Sequence, residues 1–139
     1  MKSNQIAKKY KIESYGDFRG ELNPFEFHEL PFRPLRIYVL KNTKSNTTRG
    51  QHAHKNLKQL IICLSGSVDI LLDDGANRET YNLTQESDGL LIEGIVWREL
   101  SNFSKNCIVL VFADKPYMES DYIRTYNEFL RIKNYDSFQ

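Results

Sequence analysis

Residues 49–75 read Arg-Gly-Gln-His-Ala-His-Lys-Asn-Leu-Lys-Gln-Leu-Ile-Ile-Cys-Leu-Ser-Gly-Ser-Val-Asp-Ile-Leu-Leu-Asp-Asp-Gly. Within them, Lys58 to Leu64 and Ser67 to Leu72 are apolar runs of strand length, separated only by Ser65-Gly66. Asp73-Asp74-Gly75 ends the second run with residues that tolerate the positive backbone angles of a tight turn. Working outward, the apolar residues keep a period of two. Leu35 to Lys41 precedes the hairpin; Arg78 to Leu83, Gly89 to Ile92, Val96 to Phe103 and Asn106 to Ala113 come after it. Short strands in such number, with turns between them, predict an all-β sandwich or small barrel.

The rest of the chain fits around that sandwich. Tyr122, Tyr126, Phe129 and Leu130 share one face at helical spacing after Ser120-Asp121, which predicts a short C-terminal helix packed on the sheets. In the N-terminal segment Phe18, Leu22, Phe25 and Phe27 are apolar but interrupted by Gly16, Gly20 and Pro24, so neither helix nor strand is assigned there. At 139 residues, with no repeat or linker, residues 1–139 read as one domain. Nineteen basic against eighteen acidic residues argue against a nucleic-acid partner. No apolar run can span a bilayer, and the lysine-bearing N-terminus has no secretory core. Cys63 and Cys107, each inside a strand-like run, read as reduced core residues. These features predict a cytoplasmic protein without a membrane partner.

The chemistry concentrates at Arg49-Gly-Gln-His-Ala-His-Lys55, which holds two of the three histidines in the chain. On a strand, positions i and i+2 share a face, so His52 and His54 are expected to point together into the interior. Paired imidazoles can hold a metal or move protons near neutral pH. A metal site needs further ligands. Gln59 stands five residues after His54, and Gly94-Ile-Val-Trp97-Arg98 offers a guanidinium, which repels a cation and cannot ligate one. Proton transfer without a metal is therefore the expectation.

His-x-His followed by Gln59 and Gly66 resembles the first cupin motif, and Gly-Ile-Val-Trp-Arg resembles the second with its histidine replaced. More narrowly, the chain resembles the sugar 3,4-ketoisomerases that act on dTDP-4-keto-6-deoxyglucose. The matching stretches are Pro31-Phe32, Arg36-Ile-Tyr38, Arg49 to Lys55, Gln59, Cys63-Leu-Ser-Gly-Ser67, Leu72-Asp-Asp-Gly75, Val96-Trp97 and Asp121-Tyr-Ile-Arg-Thr-Tyr126. The resemblance implies a homodimeric cupin jelly roll that needs no cofactor. It further implies a dTDP-linked keto-sugar substrate and a 3-keto product passed to an aminotransferase, for 3-amino-3,6-dideoxy sugars of lipopolysaccharide or S-layer glycans.

On that reading His52 is the principal acid/base, His54 positions or relays, and Tyr38 donates to an oxygen or to carbon. Arg98 is expected to face the sugar and stabilise the enediolate. Arg36, Arg49 and Lys55 are candidates for the diphosphate. Gln59 and Trp97 are expected to line the pocket, and Arg19 to lie near the sugar as it does in part of the family. Arg98 in place of histidine predicts that the C4 hydroxyl keeps the gluco configuration. Three other readings use the same residues: a dTDP-4-keto-sugar 3,5-epimerase, a metal-dependent cupin, and a non-catalytic sugar-nucleotide-binding cupin.

Overall fold

The computed structural model describes residues 5–137. Twelve strands and one helix run in the order β1 Lys8–Tyr10, β2 Tyr15–Asp17, β3 Gly20–Leu22, β4 Arg36–Leu40, β5 Arg49–His54, β6 Gln59–Ser65, β7 Ser67–Asp73, β8 Arg78–Thr84, β9 Gly89–Ile92, β10 Trp97–Ser101, β11 Ile108–Ala113, β12 Tyr122–Ile123 and α1 Tyr126–Ser137. Two five-stranded antiparallel sheets face each other, in the orders β1-β9-β6-β11-β4 and β12-β5-β10-β7-β8, while β2 and β3 form a separate hairpin. The predicted all-β sandwich with a short C-terminal helix is what the chain adopts. No helix among the described residues is long and apolar enough to cross a membrane.

Strand alternation sorts the side chains into layers. In β6, Ile61 and Cys63 turn inward and join Val68, Ile70, Leu72, Val109 and Val111 in the core between the sheets. Their neighbours Leu60 and Ile62 turn outward, where Leu30, Phe25 and Phe32 cover them. Phe25 also packs on Phe112, with ring centroids 5.5 Å apart. The outer face of the second sheet buries Ala53, Trp97 and Ile123 beneath Phe129 of α1. Cys63 and Cys107 are free and buried.

The turns obey local backbone chemistry. Gly75 adopts φ +96°, and the Asp74 carboxylate accepts hydrogen bonds from the backbone N–H groups of Ala76 and Asn77 at 2.9 and 2.7 Å. The helix begins later than its apolar stripe suggests. Thr125 Oγ1 accepts the Glu128 N–H at 3.2 Å, so the helix starts at Tyr126. Tyr122, which shares the helical spacing by coincidence, lies instead in β12 opposite His54.

Candidate active site

The site grows from an irregularity in β5. Gly50 and Gln51 both have positive φ, +85° and +55°, and the register with β10 slips between Arg98↔His52 and Glu99↔Gly50. This bulge adds a residue to one strand and re-aims the side chains beyond it. Both histidines then face the space between the sheets, with ring centroids 4.8 Å apart. The Gly50 carbonyl accepts from His52 Nδ1 at 3.0 Å, which leaves Nε2 as the atom with a free lone pair.

His54 is held differently. Its Nδ1 donates to the Asp121 carboxylate at 3.0 Å, and the other oxygen of Asp121 accepts the Asn56 N–H at 2.7 Å. His54 Nε2 is buried with no partner. Burial, followed by the nearby Arg98 charge, pushes the His52 imidazole down to about 4 and that of His54 to about 2. Both rings are neutral near pH 7.

Arg98 sits directly opposite His52 on the adjacent strand and is 3% exposed. Burial lowers its pKa to about 10, so it stays charged at neutral pH. Its Nη1 donates to Gln59 Oε1 and its Nη2 to the Val96 carbonyl, the latter at 2.9 Å. Gln59 Nε2 in turn donates to the Tyr38 hydroxyl at 3.0 Å. Arg98, Gln59 and Tyr38 therefore form one chain of hydrogen bonds that begins at a buried charge and ends at the cavity wall. The donor set does not fit a divalent ion: beside the two imidazoles stand an amide and a guanidinium, and among the described residues no three His, Cys, Asp or Glu converge.

A cavity of about 480 Å³ opens over these groups, lined by Arg36, Tyr38, Arg49, His52, Tyr122 and Arg124 among others. A second, of about 350 Å³, lies beyond Tyr122 and is lined by Arg36, His54, Lys55, Lys115 and Asp121. The Tyr122 ring stands against both histidines, with centroids 4.9 Å from His52 and 4.4 Å from His54. The Arg124 guanidinium lies 3.9 Å over that ring and pairs with Glu119 at 2.7 Å.

Of the residues expected at the site, Tyr38, His52, Arg36 and Arg49 share the larger cavity. His54 and Lys55 line the smaller one, where Lys55 Nζ donates to the Ser120 carbonyl at 3.1 Å. Gln59 and Arg98 lie beneath the wall; both are buried and bonded to protein groups.

Gln59, expected to line the pocket, thus lines neither cavity, and two further expectations are not met within this chain. Trp97 precedes inward-facing Arg98, so alternation turns it to the outer face, where it packs on Phe129 and donates to Glu99 at 2.9 Å. Arg19 lies on the exposed β2–β3 hairpin, paired with Asp17 at 2.6 Å, and lines neither cavity. Conversely, Asp121, Tyr122 and Arg124 belong to the site but were not expected there by role. The only trace of them in the sequence is the Asp121-Tyr-Ile-Arg124 stretch, because Asp121 meets His54 across 67 positions of chain.

The family model described as FdtA: WxcM-like, C-terminal matches residues 5–134. The curated TDP-4-oxo-6-deoxy-alpha-D-glucose-3,4-oxoisomerase of Aneurinibacillus thermoaerophilus is 40% identical over 114 residues, which cover 81% of this chain and 82% of the relative. Among solved structures, the WlaRB TDP-quinovose 3,4-ketoisomerase of Campylobacter jejuni is 43% identical, with a TM-score of 0.84 over 90% of this chain and 97% of that one. A histidine-to-asparagine mutant of the 3,4-ketoisomerase QdtA of Thermoanaerobacterium thermosaccharolyticum was solved in complex with TDP-4-keto-6-deoxyglucose. It is 34% identical, with a TM-score of 0.91 over 96% of this chain and 98% of that one. The sandwich is thus the cupin-like jelly roll of sugar-nucleotide isomerases.

Proposed function

Because the chain belongs to the FdtA family (WxcM-like, C-terminal), we propose that it is a sugar-nucleotide 3,4-ketoisomerase. It converts TDP-4-keto-6-deoxyglucose to the 3-keto isomer. The hydrogen on C3 is acidic because it lies alpha to the C4 carbonyl. Removing it moves the electron pair into a C3–C4 enediolate. A proton returned to C4, with the C3 hydroxyl proton passing to the C4 oxygen, leaves the carbonyl at C3 and a hydroxyl at C4. Atoms and electrons balance with no external oxidant or reductant.

One observation carries the assignment of roles. His52 is a neutral imidazole in the cavity wall, its Nδ1 pinned to a backbone carbonyl and its Nε2 left to take a proton. His54, oriented by Asp121, packs edge-on against it as the positioning or relaying partner. Arg98 supplies a fixed positive charge beneath the site, where a developing enediolate is stabilised by groups that need not reorganise. Tyr38 offers its hydroxyl from the opposite sheet. Arg36, Arg49 and Arg124, at the cavity wall, are the groups suited to a diphosphate.

The proposal extends to stereochemistry and to the fate of the product. Arg98 in place of a histidine leaves no proton donor on that face for C4, which supports retention of the gluco configuration; the likeness to the TDP-quinovose enzyme supports the same reading. A 3-ketone is what amino transfer consumes, so the product passes to an aminotransferase. The chain acts as a homodimer in the reducing cytoplasm, where buried free thiols such as Cys63 and Cys107 persist.

The test is incubation with TDP-4-keto-6-deoxyglucose in heavy water, with proton NMR of the product. The expected result is a 3-keto product bearing deuterium at C4 and, in a parallel run in ordinary water, an H4–H5 coupling that marks an equatorial C4 hydroxyl. His52→Asn should lose roughly 100- to 10,000-fold in turnover while still binding TDP. Deuterium at C5 would point to an epimerase, and an unchanged sugar to a binding protein; either overturns the assignment. An axial C4 hydroxyl overturns the retention alone.

A further inference from the structure

We infer that Gln59 is a positioning residue, which fixes the direction in which Tyr38 offers its hydroxyl hydrogen to the sugar. The inference rests on the ketoisomerase reading for its activity arm, but its geometry stands apart from that reading.

The orientation of Gln59 is forced by its neighbours. Arg98 has donors only, so the amide must turn its oxygen to the guanidinium, and it does so through Nη1. The NH2 group is then left to face Tyr38, to whose oxygen it donates at 3.0 Å. A phenol that accepts on this side keeps its own hydrogen for another direction. Among the described residues, no bond takes that hydrogen, and Tyr38 lines the larger cavity with His52. The hydroxyl is therefore held as a donor to whatever oxygen the ligand places there. Gln59 is 2% exposed and fixed at both ends, so neither it nor the direction of the hydroxyl can drift.

The chain also transmits charge. A hydrogen bond to a charged donor polarises the amide, and the polarised amide becomes a better donor to the phenol oxygen. Burial raises the Tyr38 pKa, and the Arg98 charge and the Gln59 bond pull against that rise. Gln59 thus couples a buried cation to a cavity hydroxyl without itself meeting the substrate. The residue is not the substrate contact that its sequence position suggests.

Gln59→Glu tests this with little change of volume. A carboxylate between Arg98 and Tyr38 accepts from both, so it draws the phenol hydrogen away from the cavity. We expect kcat to fall about 100-fold with KM changed less than about threefold, the scale of a misdirected acid. The loss should not multiply with that of Tyr38→Phe, because both act through one hydroxyl. The Tyr38 phenolate transition, tracked by ultraviolet difference absorbance and identified by its loss in Tyr38→Phe, should move to higher pH. Gln59→Met, which removes the amide at similar size, should move that transition upward as well, and covers the case in which Gln59→Glu does not fold. Wild-type kcat in a folded Gln59 variant, losses that multiply with Tyr38→Phe, or an unmoved phenolate transition would each overturn the inference. If the wild-type protein leaves TDP-4-keto-6-deoxyglucose unchanged, the ketoisomerase reading falls, while the phenolate titration still decides the role of Gln59.

Discussion

The two imidazoles are neutral at physiological pH because burial and Arg98 together disfavour their charged forms. That has a consequence for the rate. A base works only when deprotonated, so a pKa lowered from 6.5 to about 4 keeps His52 competent well into mildly acidic solution. The acid limb of kcat/KM is expected near pH 4 and not near 6.5. Arg98→Leu, which removes the second-largest cause of the shift, should move that limb upward, part of the way back; a limb that stays in place would show that Arg98 does not act on His52. The same shift bears on stability. Between the unfolded value of 6.5 and the folded value of about 4, the unfolded chain binds more protons, so stability is fully present above pH 6.5. It declines as pH falls through that window and loses nothing further from this group below it.

Among the elements, the β6–β7 hairpin sets the tolerance of the fold. Gly66 turns the chain at φ +73°, and a Cβ there would stand 2.2 Å from Ser104 Oγ and 3.0 Å from Cys107 Cα. Ser104 Oγ is not free to leave, since it accepts the Ser67 N–H at 2.8 Å. Gly66→Ala is therefore expected to cost about 2 to 4 kcal/mol, from backbone strain and the lost bond together. In a thermal melt that is a fall in Tm of roughly 6 to 15 °C. Gly75 makes a contrast of degree: it too has positive φ, but its Cβ would approach Lys133 Cβ and Cγ only to 3.1 Å, a milder contact than the 2.2 Å at Gly66. An equal loss at both positions would argue that backbone strain alone decides. The bulge at Gly50-Gln51 belongs to the same scale. It keeps Arg98 opposite His52 while shifting the rest of β5 along β10.

For the molecule as a whole, the outward row of β4 asks for cover. Leu35, just before β4, and Ile37 and Val39 on it are about half exposed at the edge of the first sheet, whereas Phe25 and Phe32 are satisfied within the chain. A second copy on this row fits the expected homodimer. Ile37→Lys with Val39→Lys should give a monomer by light scattering, and a dimer that survives both would place the interface elsewhere. The sandwich itself was legible in the chain, because period-two patterning and turn residues are local rules. So was the inward pair His52 and His54, since spacing on one strand is also local. The hairpin β2–β3 and the two-residue β12 were not: they are short, lack a buried face pattern, and carry Gly or aromatic residues that fit several conformations. Tyr122 shows how a true helical spacing can mislead when the helix starts four residues later. By itself the sequence determined an all-β layer fold, its turns, and an inward-facing histidine pair on one strand, since each depends on neighbours a few positions apart. Only the tertiary structure decided that Asp121 orients His54, that Trp97 faces away, and that Gln59 links Arg98 to Tyr38. The bonds around His54 and Gln59 join residues 21 to 67 positions apart, and which strands meet across the sandwich is set by the packing of the whole core.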